Sequence, residues 1–150
     1  MKRINLLLFS LIFLACQNTP TKTQEQNKTL VGTLENEKVV LTVDKTKMLA
    51  AYNANILKAS GIDAKFTEVS IKTTSDKQYY LVFKGSGYTS SFIITTTNND
   101  LFALDNISCT TSDCSSEEFG CTPTVSGAAC RACSNKGKCT KTVSNRSLLN

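Results

Sequence analysis

The 150-residue chain contains no histidine and no tryptophan. Without histidine it lacks the commonest general base, proton shuttle and metal ligand. No Ser-His-Asp or Cys-His arrangement can be built from it. The sequence therefore points away from an enzyme and calls for no cofactor and no metal. Arginine is scarce, with 3 residues against 14 lysines, and the formal net charge is only +5. Two of those charges are Lys2 and Arg3 at the very start. The small remainder is spread along the chain, which is a solubility feature and not a nucleic-acid footprint. No apolar run reaches the ~20 residues that a membrane-crossing helix needs.

What is present begins with MKRINLLLFSLIFLAC. Lys2 and Arg3 form a positive head. Leu6 to Leu14 is apolar except for Ser10, and Ala15 then precedes Cys16. This is the layout of a secretory signal. The ending F-L-A-C resembles the bacterial lipobox, with Phe13 where leucine is commonest. The resemblance implies that residues 1–15 are removed as a signal peptide and that Cys16 carries lipid. Each buried methylene contributes ~0.8 kcal/mol, and two or three acyl chains hold a protein on a membrane where one does not. The membrane is thus the expected partner, reached through Cys16.

Residues 16–28 follow as a tether. QNTPTKTQEQNK has no apolar residue beyond Pro20, too little to offset the entropy of ordering it. The Lys- and Asn-rich, Arg-poor composition resembles lipoproteins of Bacteroidota. In those proteins an acidic cluster after the cysteine often accompanies export to the cell surface, and here only Glu25 is acidic. The resemblance implies a cell-envelope protein at the outer membrane, with the periplasmic face favoured over the cell surface.

Residues 29–108 carry the pattern of a small α+β domain. VVLTV (Val39 to Val43) reads as a strand. Met48, Leu49, Tyr52, Ile56 and Leu57 then recur at helical spacing, with Asp44 or Thr46 as cap and Gly61 as stop. Four strands follow, at Thr67 to Thr73, Gln78 to Lys84, Tyr88 to Thr96 and Leu101 to Leu104. The turns between them, at Thr74-Ser75-Asp76, Gly85-Ser86-Gly87 and Asn98-Asn99, are short. Tight turns imply antiparallel neighbours. A single helix covers one face of such a sheet. The order β-α-β-β-β-β resembles the cystatin-like fold, one helix packed on a curled antiparallel sheet. Cystatins that inhibit proteases carry a Q-x-V-x-G hairpin, and the matching turn here is TTSDK.

QYYLVFK (Gln78 to Lys84) is apolar on both faces. Tyr79, Leu81 and Phe83 point one way, Tyr80 and Val82 the other. Something must cover the second face. The main expectation is the C-terminal tail packing back. The sharper one is a binding surface for an unidentified envelope protein or ligand, built on Tyr80, Tyr88 and Phe92.

Residues 109–150 form a cysteine-rich tail with few large apolar side chains. Cys109, Cys114, Cys121, Cys130, Cys133 and Cys139 are spaced C-x4-C-x6-C-x8-C-x2-C-x5-C. An exported chain meets an oxidising compartment, so six cysteines read as a disulfide-stapled module with 15 possible pairings. A zinc ribbon needs two C-x-x-C knuckles, and only Cys130/Cys133 makes one. A thioredoxin-type site needs a strand before the pair and a helix after it, and no strand-like run precedes Cys130. CSNKGKC resembles the C-x-N-G-x-C corner of growth-factor-like modules, which implies a tight loop with Lys136, Gly137 and Lys138 at its tip. The end of the chain is expected to be loose unless Leu148 and Leu149 dock.

Overall fold

A computed structural model describes residues 27–150. The signal-like segment, Cys16 and nearly all of the tether lie outside the described residues. The first feature is a hairpin, β1 (Lys28–Glu35) and β2 (Lys38–Leu41). Its turn residues, Asn36 and Glu37, have φ of 49° and 63°. Positive φ at both positions suits the twist of a two-residue hairpin. Two strands thus precede the helix where the sequence predicts one, and Lys28 belongs to β1 instead of the tether.

Helix α1 (Lys45–Ser60) starts at Asp44, whose carboxylate accepts the Lys47 N–H at 3.1 Å. It stops at Gly61, which adopts φ 74° and donates its N–H to Leu57 O at 2.8 Å. Both ends satisfy backbone groups that a helix leaves orphaned. Met48, Tyr52 and Ile56 are buried, whereas Leu57 is 48% exposed and falls outside the apolar stripe.

The predicted meander follows as β3 (Phe66–Thr73), β4 (Tyr79–Gly85), β5 (Tyr88–Thr97) and β6 (Asp100–Leu104), each antiparallel to the next. Strand β7 (Ile107–Thr111) was not predicted. One edge of β5 pairs with β4 along its length. The other edge is shared, with β6 beside its C-terminal half and β7 beside its N-terminal half. β6 and β7 therefore act as one long strand broken at Asp105-Asn106. β1 joins the outer edge of β6, and β10 (Thr140–Val143) joins that of β7. A separate ribbon pairs β8 (Thr122–Pro123) with β9 (Cys130–Arg131).

The fold is mostly antiparallel sheet, nearly barrel-like, with one helix and a disulfide-rich C-terminal region. The order β-α-β-β-β-β is not the order found: the hairpin strand β1 stands inside the sheet, and β7 and β10 extend it on the other side. The curl brings β1 against β3. A methyl built on Gly32 would lie 2.9 Å from Ile71 Cδ1 and 2.4 Å from Val40 O.

The helix fills the concave side. Tyr52 stacks on Phe66 at 5.2 Å and meets Phe83 and Phe92 at 4.5 and 5.0 Å. Aromatic clusters of this kind combine large area burial with favourable ring geometry. The buried Tyr52 hydroxyl pairs with Ser90 Oγ at 2.5 Å, which in turn pairs with Thr110 Oγ1 at 2.7 Å. Burial raises the Tyr52 phenol above its ordinary value, against the smaller opposing effect of hydrogen bonds from Ser108, Ser90 and Thr110. The chain end is docked: Leu148 and Leu149 are buried in the same core. Leu148 N–H donates to Asp105 O at 2.7 Å, and Asn55 Nδ2 donates to Leu148 O and Asn150 O. The tail boundary expected at residue 109 falls inside β7, so sheet and tail share a strand.

Candidate functional site

The six tail cysteines form three disulfides, Cys109–Cys130, Cys114–Cys133 and Cys121–Cys139. Counted along the chain, the first bonds the fourth, the second the fifth and the third the sixth. Each bond therefore interleaves with the other two. Cys109 belongs to β7, so the first bond ties the module to the sheet. The other two lie within the module. The cysteines of the C-x-x-C pair are not joined to each other: Cys130 reaches back to β7 and Cys133 to Cys114.

The module covers the second face of the sheet. Strand alternation puts Tyr80, Val82 and Ile93 on that face, where they pack with Leu104 and Phe119. The Tyr80 and Phe119 rings meet edge to face at 5.8 Å. An irregular segment laid on a sheet must find donors for its carbonyls. The sheet supplies them: Ser91 Oγ donates to Phe119 O at 2.5 Å, Thr89 Oγ1 to Ser115 O at 2.8 Å and Lys84 Nζ to Glu117 O at 2.8 Å. Thr111 Oγ1 donates to Lys138 O at 2.8 Å. Lys72 and Glu118 add an ion pair at 3.3 Å. These contacts explain why Thr89 and Ser91 are polar yet fully buried, while Ser90, on the helix side, is satisfied by Tyr52 and Thr110. Sequence reasoning missed this role. The signal was the polar run T-S-S directly before F-I-I in the same strand.

The proposed aromatic surface needs correction. Tyr80 is 2% exposed and Phe92 0%. Tyr80 lies under the module, while Phe92 lies in the helix-side core with Tyr88 packed against its edge. Residues 80 and 92 point to opposite faces because their paired partners, Ile93 and Leu81, alternate with them across the ladder. No common surface is formed by the three.

The stretch C-R-A-C-S-N-K-G-K-C wraps the outer side of the module. Asp113 organises its loop: Lys138 N–H donates to Asp113 Oδ2 at 2.9 Å and Asn135 Nδ2 to Asp113 O at 3.0 Å. Asn135 Oδ1 accepts the Gly137 N–H at 2.7 Å. Lys136 and Lys138 are exposed at the tip, as expected. The cysteines on either side of that loop bond elsewhere, so no single disulfide closes it. Beside it runs a shallow cleft of about 470 Å³ lined by Tyr80, Phe119, Arg131, Ser134 and Glu117. The Glu117 carboxyl is held below its ordinary value, mainly by the Ser134 hydroxyl and then by the Ser134 N–H. Asp76 is lowered mainly by the Thr74 hydroxyl, with Arg131 a lesser contributor.

The sulfurs of Cys114, Cys121 and Cys133 lie within 4.8 Å of one another and are buried. All three are in disulfides, which removes the thiolate a metal would require. Among the described residues no helix is long and apolar enough to cross a membrane. Comparison of the chain with protein families, with curated proteins and with solved structures finds no match.

Proposed function

We propose that this chain is a lipid-anchored protein of the bacterial envelope whose folded part is a non-catalytic binding or interaction module. Lipid on Cys16 would hold it at the outer membrane, on the periplasmic face. The observation that carries the reading is the pairing of all six tail cysteines, with Cys130 and Cys133 each bonded to a different element. Interleaved disulfides suit an oxidising compartment and a segment with little core of its own. They give the C-x-x-C pair a structural task. A thiol–disulfide oxidoreductase is the rival, and it would need Cys130 and Cys133 to join each other. The cystatin-like comparison is limited to a helix cradled by antiparallel strands, and the TTSDK turn offers no inhibitory hairpin.

Metabolic labelling with palmitate tests the anchor. Label is expected on the wild type and not on Cys16→Ala; label persisting on the variant would refute it. Insulin reduction, with Cys130→Ser as control, tests the rival. No activity above the control is expected, and activity lost on that substitution would replace the binding reading.

A further inference from the structure

Two of the three disulfides touch. Cys121 Sγ and Cys133 Sγ lie 3.6 Å apart, yet they belong to different bonds, Cys121–Cys139 and Cys114–Cys133. Neither sulfur carries a hydrogen, so this is a direct contact between bonded sulfurs. Cys114 Sγ lies within 4.8 Å of both. Disulfides that serve only as staples need no contact with one another. Contact matters for chemistry, because a disulfide is exchanged by a thiolate that reaches one of its sulfurs.

A reagent from solution meets this pair of bonds at Cys139. Cys114, Cys121 and Cys133 are buried, at 1%, 0% and 7% exposure, whereas Cys139 is half-buried. It follows exposed Lys138 on the outer loop, with its Sγ 3.6 Å from Arg131 O. The sulfur that is attacked decides which sulfur leaves. Attack on Cys139 expels the Cys121 thiolate, which is released inside the module against Cys133. The Cys114–Cys133 bond has both ends buried, so it is reached through Cys121.

We propose that the module is a thiol–disulfide relay, in which a dithiol reductant opens Cys121–Cys139 and the freed Cys121 takes Cys133 from Cys114. One thiolate of the dithiol forms a mixed disulfide with Cys139, and the bonding pair of Cys121–Cys139 leaves on Cys121. Cys121 Sγ turns toward its neighbour and bonds Cys133, and the bonding pair of Cys114–Cys133 leaves on Cys114. The second thiol of the dithiol then closes on the first and releases Cys139. Two protein disulfides are broken and one is made. The dithiol is oxidised to its own disulfide, and its two protons pass to Cys114 and Cys139. Sequence separations of 12 for the new bond and 19 for the old differ little in closure entropy, so proximity selects the product. The Cys109–Cys130 anchor is untouched. The relay thus differs from a C-x-x-C oxidoreductase, which would join Cys130 to Cys133. Its output is an accessible thiol at Cys139 on a module still tied to β7, and it depends neither on a ligand nor on the lipid on Cys16.

The test treats the full, unreduced chain in nonionic detergent with one equivalent of dithiothreitol. Alkylation in acidic denaturant then halts exchange and reaches buried thiols, and the disulfides are mapped by mass. Label is expected on Cys114 and Cys139 in equal amount. The Cys114–Cys133 link should be lost and a Cys121–Cys133 link gained, assigned by fragmenting its peptide between Cys121 and Cys130. Label on Cys121 and Cys139 with Cys114–Cys133 intact would overturn the relay. So would label first on Cys109 and Cys130, or no label at all. Cys139→Ser without reductant starts the chain one step further on. In that variant a Cys121–Cys133 link and an alkylated Cys114 are expected, and a free Cys121 beside an intact Cys114–Cys133 bond would equally overturn the proposal. Should the variant not fold, the wild-type experiment decides alone.

Discussion

Replacing Cys109 and Cys130 together by alanine should loosen the module from the sheet while leaving it internally stapled. Cys109–Cys130 is the disulfide with one end in a sheet strand, and Cys114–Cys133 and Cys121–Cys139 remain. A sequence separation of 21 corresponds to about 3 kcal/mol in the chain-entropy treatment. The sulfurs of buried Cys109 and half-buried Cys130 are also lost, which adds a small cavity cost. For a folded unit of this size, ~3 kcal/mol lowers Tm by roughly 10 °C. The rings beneath the module provide a specific readout. With no tryptophan in the chain, near-ultraviolet circular dichroism reports tyrosine, and Tyr80 should lose its ordered signal as the module lifts. A hydrophobic dye should also gain access to Tyr80, Val82, Ile93 and Leu104 well below the melt. The matched control is Cys114→Ala with Cys133→Ala. It should cost a similar amount by loop entropy, since its separation is 19, yet expose less of that face. A double variant at 109 and 130 that melts within ~2 °C of wild type and binds no extra dye would refute the reasoning.

Three further expectations follow from the core. Burial holds the Tyr52 phenol above about 10, so the unfolded chain ionises first. Stability is then complete below pH 10 and falls as pH rises through the folded value; urea melts at rising pH should show this, and Tyr52→Phe should flatten the slope. Leu148→Ala, at a site 1% exposed, should cost about 3 kcal/mol by removing packed methyl groups; a loss under ~0.5 kcal/mol in denaturant melts would mean that the chain end is not docked. Gly85→Ala would place a methyl 2.4 Å from Lys65 O and 2.5 Å from Phe66 Cα; a loss of about 2 kcal/mol in thermal melts is expected because backbone must move.

Much of the domain was legible in the sequence because its signals were local. Asp44 and Gly61 bracket the helix with cap chemistry, and Met48, Tyr52 and Ile56 mark its buried stripe. Alternation in QYYLVFK revealed a strand with two apolar faces, which correctly required a cover on each. Other features depend on long-range pairing. β7 holds I-S-C-T-T, whose polar residues look unlike a buried strand until Ser90 pairs with Thr110 and the module's Lys138 carbonyl with Thr111. β10 reads T-K-T-V, and it becomes a strand because β7 offers an edge. β1 was hidden by its place next to the polar tether, although T-L-V-G-T-L before Asn36 carried a usable hairpin signal. The pairing of six cysteines was beyond reach for a combinatorial reason, and the module's position over Tyr80 follows from that pairing. The error over Tyr80, Tyr88 and Phe92 came from grouping aromatic residues without applying the strand period to all three.

The most direct test of the account is disulfide mapping on protein recovered from membranes without reduction. Digestion at Lys, Arg, Asp and Glu separates every tail cysteine except Cys121 and Cys130, since cleavage sites fall at Asp113, Glu117, Glu118, Arg131, Lys136 and Lys138. The peptide holding Cys121 and Cys130 should then be joined to the peptides of Cys109 and Cys139, with Cys114 linked to Cys133 in a separate pair and no tail thiol open to alkylation. A link between Cys130 and Cys133, or that pair recovered as free thiols, would contradict the structural role assigned to the C-x-x-C stretch and return it to redox chemistry.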